Sequence, residues 1–390
     1  MMNRWVWVFC GMCFASSGTV YASAHSMFEE SAEIESALLG SGVSFDSGDT
    51  GRWDASNAPS GWNAQYQYAF SALPLSGKVE SHQPWSDTYW PTNRGGIASR
   101  WNWGAATNGF KYDTFNEARV RVMSQGQLAR LSPAEKYDIF MGRFDYPTVK
   151  MVRDNTSRHA EYWRGICHGW SPAALALGEP APVAATSVGG IVVPFGSADV
   201  KGLIDNYYAN NAKAANFLGM KCKAGNGGNV FHRIATPFRR GSEACEDVNA
   251  GAFHVILGNE LGLNHVGFVA DVERWREVWN QPVFAFNSTV VGQRRPSKNA
   301  APGTVMEMQV KTTMLYADEI EATWDPVVGT DKFKGGQAEY EYFLELDAAG
   351  RILGGEWISS DRPDFLWRAA PLAFTGYFEG INRLYRPTGK

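Results

Sequence analysis

A chain of 390 residues, 13% of them aromatic, has room for roughly two or three structural units with a sizeable core. Its formal net charge of −4 leaves no basic footprint for nucleic acid. Beyond the first two dozen residues, no stretch is apolar enough to span a membrane.

The chain opens like a secretory signal peptide. Arg4 supplies a positive charge, Trp5 to Ala15 are almost wholly apolar, and Ala22-Ser23-Ala24 is a small-residue cleavage site. A mature protein starting at His25 is therefore expected to be secreted or periplasmic. Ser26 to Glu29 read as a capping box for a helix ending near Leu39, before a Gly/Ser/Asp-rich loop over residues 40–62. Asp46, Asp49 and Asp54 lack EF-hand spacing and read as a solvated loop; no cofactor or metal ligand set is assigned, and calcium dependence is left open. Residues 63–112 are rich in Trp, Tyr and Gly without clear periodicity.

A helical pattern runs from Thr114 to about Leu131. Ser132-Pro133-Ala134-Glu135 then forms a second capping box with proline at the first helical position. Val200, Leu203, Ile204 and Tyr207 predict an amphipathic helix after Ser197. Past residue 300 the period changes to two: Met306, Met308 and Val310 alternate with polar residues, as do Tyr340, Tyr342, Leu344 and Leu346. Asp347–Gly350 reads as a turn, with a further strand over Ile352–Ile358. The expected organisation is a signal peptide (1–24), an N-terminal helical and loop region that is a candidate pro-segment (25–130), a core (131–300) and a β-rich C-terminal region (301–390), in an α+β fold.

Cys10 and Cys13 leave with the signal, so three cysteines remain. Cys222 and Cys245 flank a polar, Gly-rich segment, and a disulfide between them would contribute about 3 kcal/mol. Cys167 is then unpaired, and an unpaired thiol in an oxidising compartment is either buried and inert or used. It lies in Trp163-Arg164-Gly165-Ile166-Cys167-His168-Gly169-Trp170-Ser171-Pro172, ahead of a helix-favouring Ala/Leu run. At a helix N-terminus the dipole would favour the thiolate. Pro172 leaves two arrangements: a distorted first turn, or a regular helix from Ser171 with the thiol just before it.

A thiol nucleophile needs a base and a group to orient that base. His25 is at the mature terminus, His82 and His159 lie in polar segments, and His232 falls within the disulfide loop. His168 points away from its neighbour on a helix, which leaves His254 and His265. With Phe253–Leu257 and Val266–Asp271 read as a strand pair, His254 faces Asp271 with Cα atoms about 4.5–5.5 Å apart. His265, at the turn, would be roughly 20 Å from Asp271. The expected constellation is Cys167, His254 and Asp271; the alternative for His254 is a satisfied core histidine.

Several stretches resemble the transglutaminase elicitor family: Leu131 to Asp138, Trp163 to Ala174, Asn249 to His254, Val269-Ala270-Asp271, Val278 to Val283, Gly354 to Trp357 and Pro363 to Trp367. The resemblance implies a papain-like or transglutaminase-like core of helix plus antiparallel sheet. It also implies transfer of a glutamine γ-carboxamide to a primary amine, with protein glutamine and lysine side chains or small amines as partners. It carries the catalytic cysteine onto Cys167, the histidine onto His254 and the carboxylate onto Asp271. One departure is that Glu161 and Tyr162 stand where papain-like peptidases have an oxyanion glutamine, which leaves Trp163 and the Cys167 amide as the donors to consider. The rivals are a cysteine peptidase or amidase with the same triad, and a secreted recognition protein without catalysis.

Overall fold

The capping box at Ser132 is formed. In the computed structural model, which describes residues 53, 55–103, 108–219, 248–272 and 277–389, the Ser132 hydroxyl accepts from the Glu135 amide at 3.2 Å and Glu135 reaches back to the Ser132 N–H at 3.0 Å. The signal peptide, the Ser26 helix, the aspartates of the acidic loop and the Cys222–Cys245 pair lie outside the described residues. All described residues belong to one compact unit, Asp46–Lys390.

The single helix expected over Thr114–Leu131 is two, α1 (Glu117–Arg121) and α2 (Gln125–Ala129). Ser124 is the reason: it makes a capping box with Gln127, and a cap residue takes extended backbone, which breaks the helix before it. α3 (Pro133–Phe140) follows, then α4 (Pro147–Asp154). α5 (Cys167–Ala176) starts at the cysteine itself, with the Ile166 carbonyl accepting from the Gly169 and Trp170 amides at 2.9 and 3.0 Å. Pro172 sits inside α5, so the thiol belongs to the first turn and the helix does not wait for Ser171. A short hairpin, β2 (Val183–Thr186) with β3 (Val192–Phe195), leads to α6 (Ser197–Asn211), which buries Val200, Leu203, Ile204 and Tyr207 as its spacing predicts. Buried ion pairs tie these helices together: Arg100 with Glu135, and Lys136 with Asp199 at 2.6 Å. Removing one partner of such a pair costs about 3–5 kcal/mol.

The expected strand over Phe253–Leu257 is a helix. α7 (Ala250–Ile256) continues as a π-helix over Leu257–Leu263. Asn249 caps it, accepting from the Gly251 and Ala252 amides at 2.9 and 3.4 Å. Every residue of α7 is buried, so its apolar run shows no one-sided period to separate helix from strand. Gly251 lets the helix lie directly on the sheet: a Cβ there would stand 2.3 Å from the Gly354 carbonyl oxygen.

The large sheet is antiparallel throughout. β1 (Ser76–Lys78), β4 (Ala214–Gly219), β5 (Phe268–Asp271), β6 (Asn280–Arg294), β7 (Met306–Ala317), β8 (Gly335–Leu346), β9 (Ile352–Trp357) and β10 (Phe365–Ala369) run in the order β4-β10-β5-β6-β7-β8-β9, with β1 also on β6. The alternation read after residue 300 is present as β7 and β8, and the Asp347–Gly350 turn closes with Gly350 at φ 74°. The fold is thus mixed, helix with antiparallel sheet. One apolar core surrounds Trp85, Tyr137, Trp170 and Cys167; a second lies between α7 and the sheet. The aromatic stretch without periodicity contributes to both, Trp85 and Trp90 to the first and Trp62, Tyr66 and Tyr68 to the second. A third, small cluster of Val269, Val278, Phe365 and Trp367 forms on the sheet.

Candidate active site around Cys167

Cys167 is a free, buried thiol. Its helix start is held from outside: Ile166 N–H donates to the Tyr89 carbonyl and Thr92 N–H to the Arg164 carbonyl, both at 2.8 Å. Gly165 permits this, because a Cβ there would stand 2.1 Å from the Tyr89 carbonyl oxygen. On the other side lies the entry to β6. Cys167 Sγ contacts the Val278 carbonyl at 3.8 Å, and the Asn280 side-chain Nδ2 donates to Sγ at 3.8 Å. One turn along α5, the Ser171 hydroxyl donates to the Asn280 carbonyl at 2.5 Å.

Two carboxylates act on this thiol. Asp271 ends β5 opposite Asn280, fully buried, and its Oδ1 accepts from the Trp279 amide at 3.1 Å. That bond fixes the backbone segment presenting Val278 and Asn280 to the sulfur. Glu319, just past β7, accepts from Gln281 Nε2 at 2.9 and 3.1 Å. Burial, followed by the adjacent Asp318 carboxylate, pushes Glu319 up to about 8. Burial likewise pushes the Cys167 thiol up to about 11; contacts from Asn280 pull it down, while the charges of Glu319 and Asp271 raise it further. The helix-dipole expectation of a lowered thiol is therefore reversed, because desolvation outweighs the dipole. At rest the sulfur is protonated, and the S–H has the Val278 carbonyl to donate to.

A sequence profile of the transglutaminase elicitor family matches residues 148–374, more than half the chain and every residue just named from Cys167 to Glu319. The chain belongs to the transglutaminase elicitor family. Among solved structures, the crystal structure of the GP42 transglutaminase from Phytophthora sojae superposes with a TM-score of 0.60 at 24% identity, covering 86% of this chain and 97% of that one. At that identity the likeness concerns the fold. No curated protein matches the chain.

In this member of the transglutaminase elicitor family, His254 does not meet Cys167. It lies on α7, fully buried, with Nδ1 on the Tyr342 hydroxyl at 2.8 Å and its ring stacked on Phe70 at 5.5 Å. Tyr342 continues to Thr312 Oγ1 and Thr312 to Ser288 Oγ, each at 2.7 Å. This chain of hydroxyls ends at Ser288, eight residues along β6 from Asn280, which at ~3.3 Å per residue is about 26 Å of strand. The expected pairing with Asp271 fails for the same reason: the strand that was to carry His254 is a helix, and the neighbours of β5 are β6 and β10. Burial drives the His254 imidazolium pKa down to about 4, so it is a neutral core histidine at neutral pH.

Among the described residues, the hydrogen-bond partners of Cys167 Sγ are the Val278 carbonyl and Asn280, and neither is a histidine. His82 bonds the Ala174 carbonyl at 2.9 Å and His265 the Lys78 carbonyl at 3.3 Å; burial pushes the neighbouring His168 down to about 4; His232 lies outside the described residues. Asn280, Gln281 and Glu319 had no site assignment from sequence, although Asn280 and Gln281 stand in a stretch that carries the family resemblance. Among the described residues, no cluster of three or more His, Cys, Asp or Glu side chains is arranged to hold a metal ion. No described helix is long and apolar enough to cross a membrane.

Proposed function

We propose that this protein is a secreted acyltransferase of the transglutaminase type, with Cys167 as nucleophile. The observation that carries the reading is the placement of a free thiol as the first residue of α5, facing the Asn280 amide donor and influenced by two carboxylates. The thiol proton leaves to a carboxylate, for which Glu319, with its raised pKa, is the candidate base. The sulfur attacks the carbon of a glutamine γ-carboxamide. The base returns the thiol proton to the leaving nitrogen, which departs as ammonia, and a thioester remains on Sγ. A primary amine then attacks the thioester, forming the new amide and releasing the thiol. The helix does not use the first N–H groups of α5, those of Cys167 and His168, which makes them candidate donors to the developing oxyanion. Asp271 holds the Val278–Asn280 segment through its bond to the Trp279 amide, and Glu319, raised to about 8, adds negative charge that suits a cationic amine acceptor such as lysine as pH rises toward that value.

The test is incorporation of a dansylated primary amine into a glutamine-bearing protein. Wild type should label it, and Cys167→Ala should not, while melting as wild type does. Labelling that survives in Cys167→Ala, or wild type that cleaves the backbone of the glutamine-bearing protein in place of labelling it, would overturn the reading.

A further inference from the structure

Asn280 is held at two points. Its carbonyl accepts from Ser171, and its side-chain Oδ1 accepts from the indole Nε1–H of Trp367 at 2.8 Å. Ser171, Asn280 and Trp367 are all buried. Trp367 comes from β10, where it pairs with Val269 of β5, so a strand 200 residues after the cysteine reaches the amide beside it. An indole N–H only donates. The amide atom it touches must therefore be the oxygen, and this sets which end of the amide faces the sulfur. With Trp367 in place, the NH₂ end faces Cys167 at 3.8 Å. Rotating the amide by half a turn would put Oδ1 against Sγ and a second donor against the indole N–H.

The orientation matters because the sulfur changes what it needs. The neutral thiol can donate to the Val278 carbonyl. Once ionised it can only accept, and that carbonyl then opposes the charge. A donor aimed at the sulfur favours the thiolate, and an oxygen there favours the thiol.

We infer that Asn280 is the side-chain donor that stabilises the Cys167 thiolate, and that Trp367 is a positioning residue that locks the Asn280 amide in its donating orientation. This rests on Cys167 being the nucleophile, but not on which acyl group it transfers. Ser171 fixes the backbone and Trp367 fixes the amide, while of these three it is Asn280 that touches the reacting atom.

The test reads thiolate formation directly. Iodoacetamide alkylates Cys167 when the thiolate displaces iodide, and the modified peptide is counted by mass spectrometry on the full chain across pH 7–11. Asn280→Leu should lower the alkylation rate at pH 9 by about tenfold or more, equivalent to a rise of one unit in the thiol pKa. Trp367→Phe should lower it in the same direction, and a benzothienylalanine at position 367, which keeps the bicyclic shape and loses only the N–H, should do likewise. In the Asn280→Leu background, Trp367→Phe should have no further effect, since Trp367 acts only through Asn280. A purely structural role for Trp367 would add its effect in both backgrounds. Overlapping wild-type and position-367 profiles would overturn the inference, as would an undiminished Trp367→Phe effect without Asn280. If wild type shows the Asn280-dependent profile but transfers no amine, the acyl-transfer reading fails and this one stands.

Discussion

Replacing His254 with glutamine separates a catalytic histidine from a core one. Glutamine keeps a polar end for Tyr342 but does not titrate. At pH 7.5 the variant loses the imidazole ring packed on Phe70, for a cost of about 1–3 kcal/mol. The imidazolium pKa falls from 6.5 to about 4 on folding, so between those values the unfolded chain binds a proton that the folded one refuses. Stability tied to His254 is therefore complete above pH 6.5 and is lost as pH drops toward 4. The full window is worth about 3 kcal/mol, most of it already gone at pH 4.5. His254→Gln should thus be the less stable protein at pH 7.5 and should draw level with wild type, or overtake it, at pH 4.5. Urea denaturation at the two pH values measures this, and comparison with wild type cancels titration elsewhere. Amine transfer by the folded variant at pH 7.5 should stay within a few-fold of wild type, whereas losing a general base costs roughly 100- to 10,000-fold. Transfer lost at that scale with stability unchanged would falsify the core assignment and restore the triad read from sequence.

Two further substitutions probe the supports of the thiol. On helix propensity alone, Gly169→Ala should stabilise α5 by about 1 kcal/mol. A Cβ there, however, would stand 2.1 Å from the Asp205 carbonyl oxygen and 2.7 Å from the Ala209 amide nitrogen, both backbone atoms of α6. The expected result in urea is a loss of about 3 kcal/mol or more with altered Cys167 reactivity; a neutral or stabilised variant would mean that the two helices are not in that contact. For Glu319, raised from 4.5 to about 8, the folded state favours the protonated form, so its stabilising contribution is complete below pH 4.5 and is lost as pH rises from there to about 8. Glu319→Gln should gain stability relative to wild type above pH 8. If Glu319 accepts the thiol proton, wild-type transfer climbs through that range and the variant's profile is flat; an unchanged climb in Glu319→Gln assigns the proton to another group.

The parts of this fold that were legible in the sequence are those with local causes. Ser132 and Glu135 lie three residues apart, and Val310, Thr312 and Met314 of β7 and Tyr340, Tyr342 and Leu344 of β8 are buried at every second position, so cap and alternation could be read directly, although Glu307 and Glu345 on the polar positions are buried too. Cys167 stood out through cysteine arithmetic and its glycine-flanked setting, and the family resemblance pointed to it as the candidate nucleophile. The stretch around His254 resisted because α7 is enclosed on every side, and an apolar run without a solvent face carries no period. Asn280, Trp367 and Glu319 resisted for another reason. Each reaches the site from more than a hundred residues beyond Cys167, and nothing local to an asparagine or a tryptophan announces such a contact.

The tether between Tyr89 and Ile166 has a consequence for how the chain matures. Cys167 acquires its surroundings from residues 89–92, 171 and 278–280. Until the last of these is in place, the sulfur is an ordinary accessible thiol in a chain carrying other cysteines. Folding encloses it and raises its pKa to about 11, which suppresses the thiolate that oxidants and disulfide exchange require. The closure that assembles these surroundings therefore also protects the thiol, which is most vulnerable to mispairing during folding.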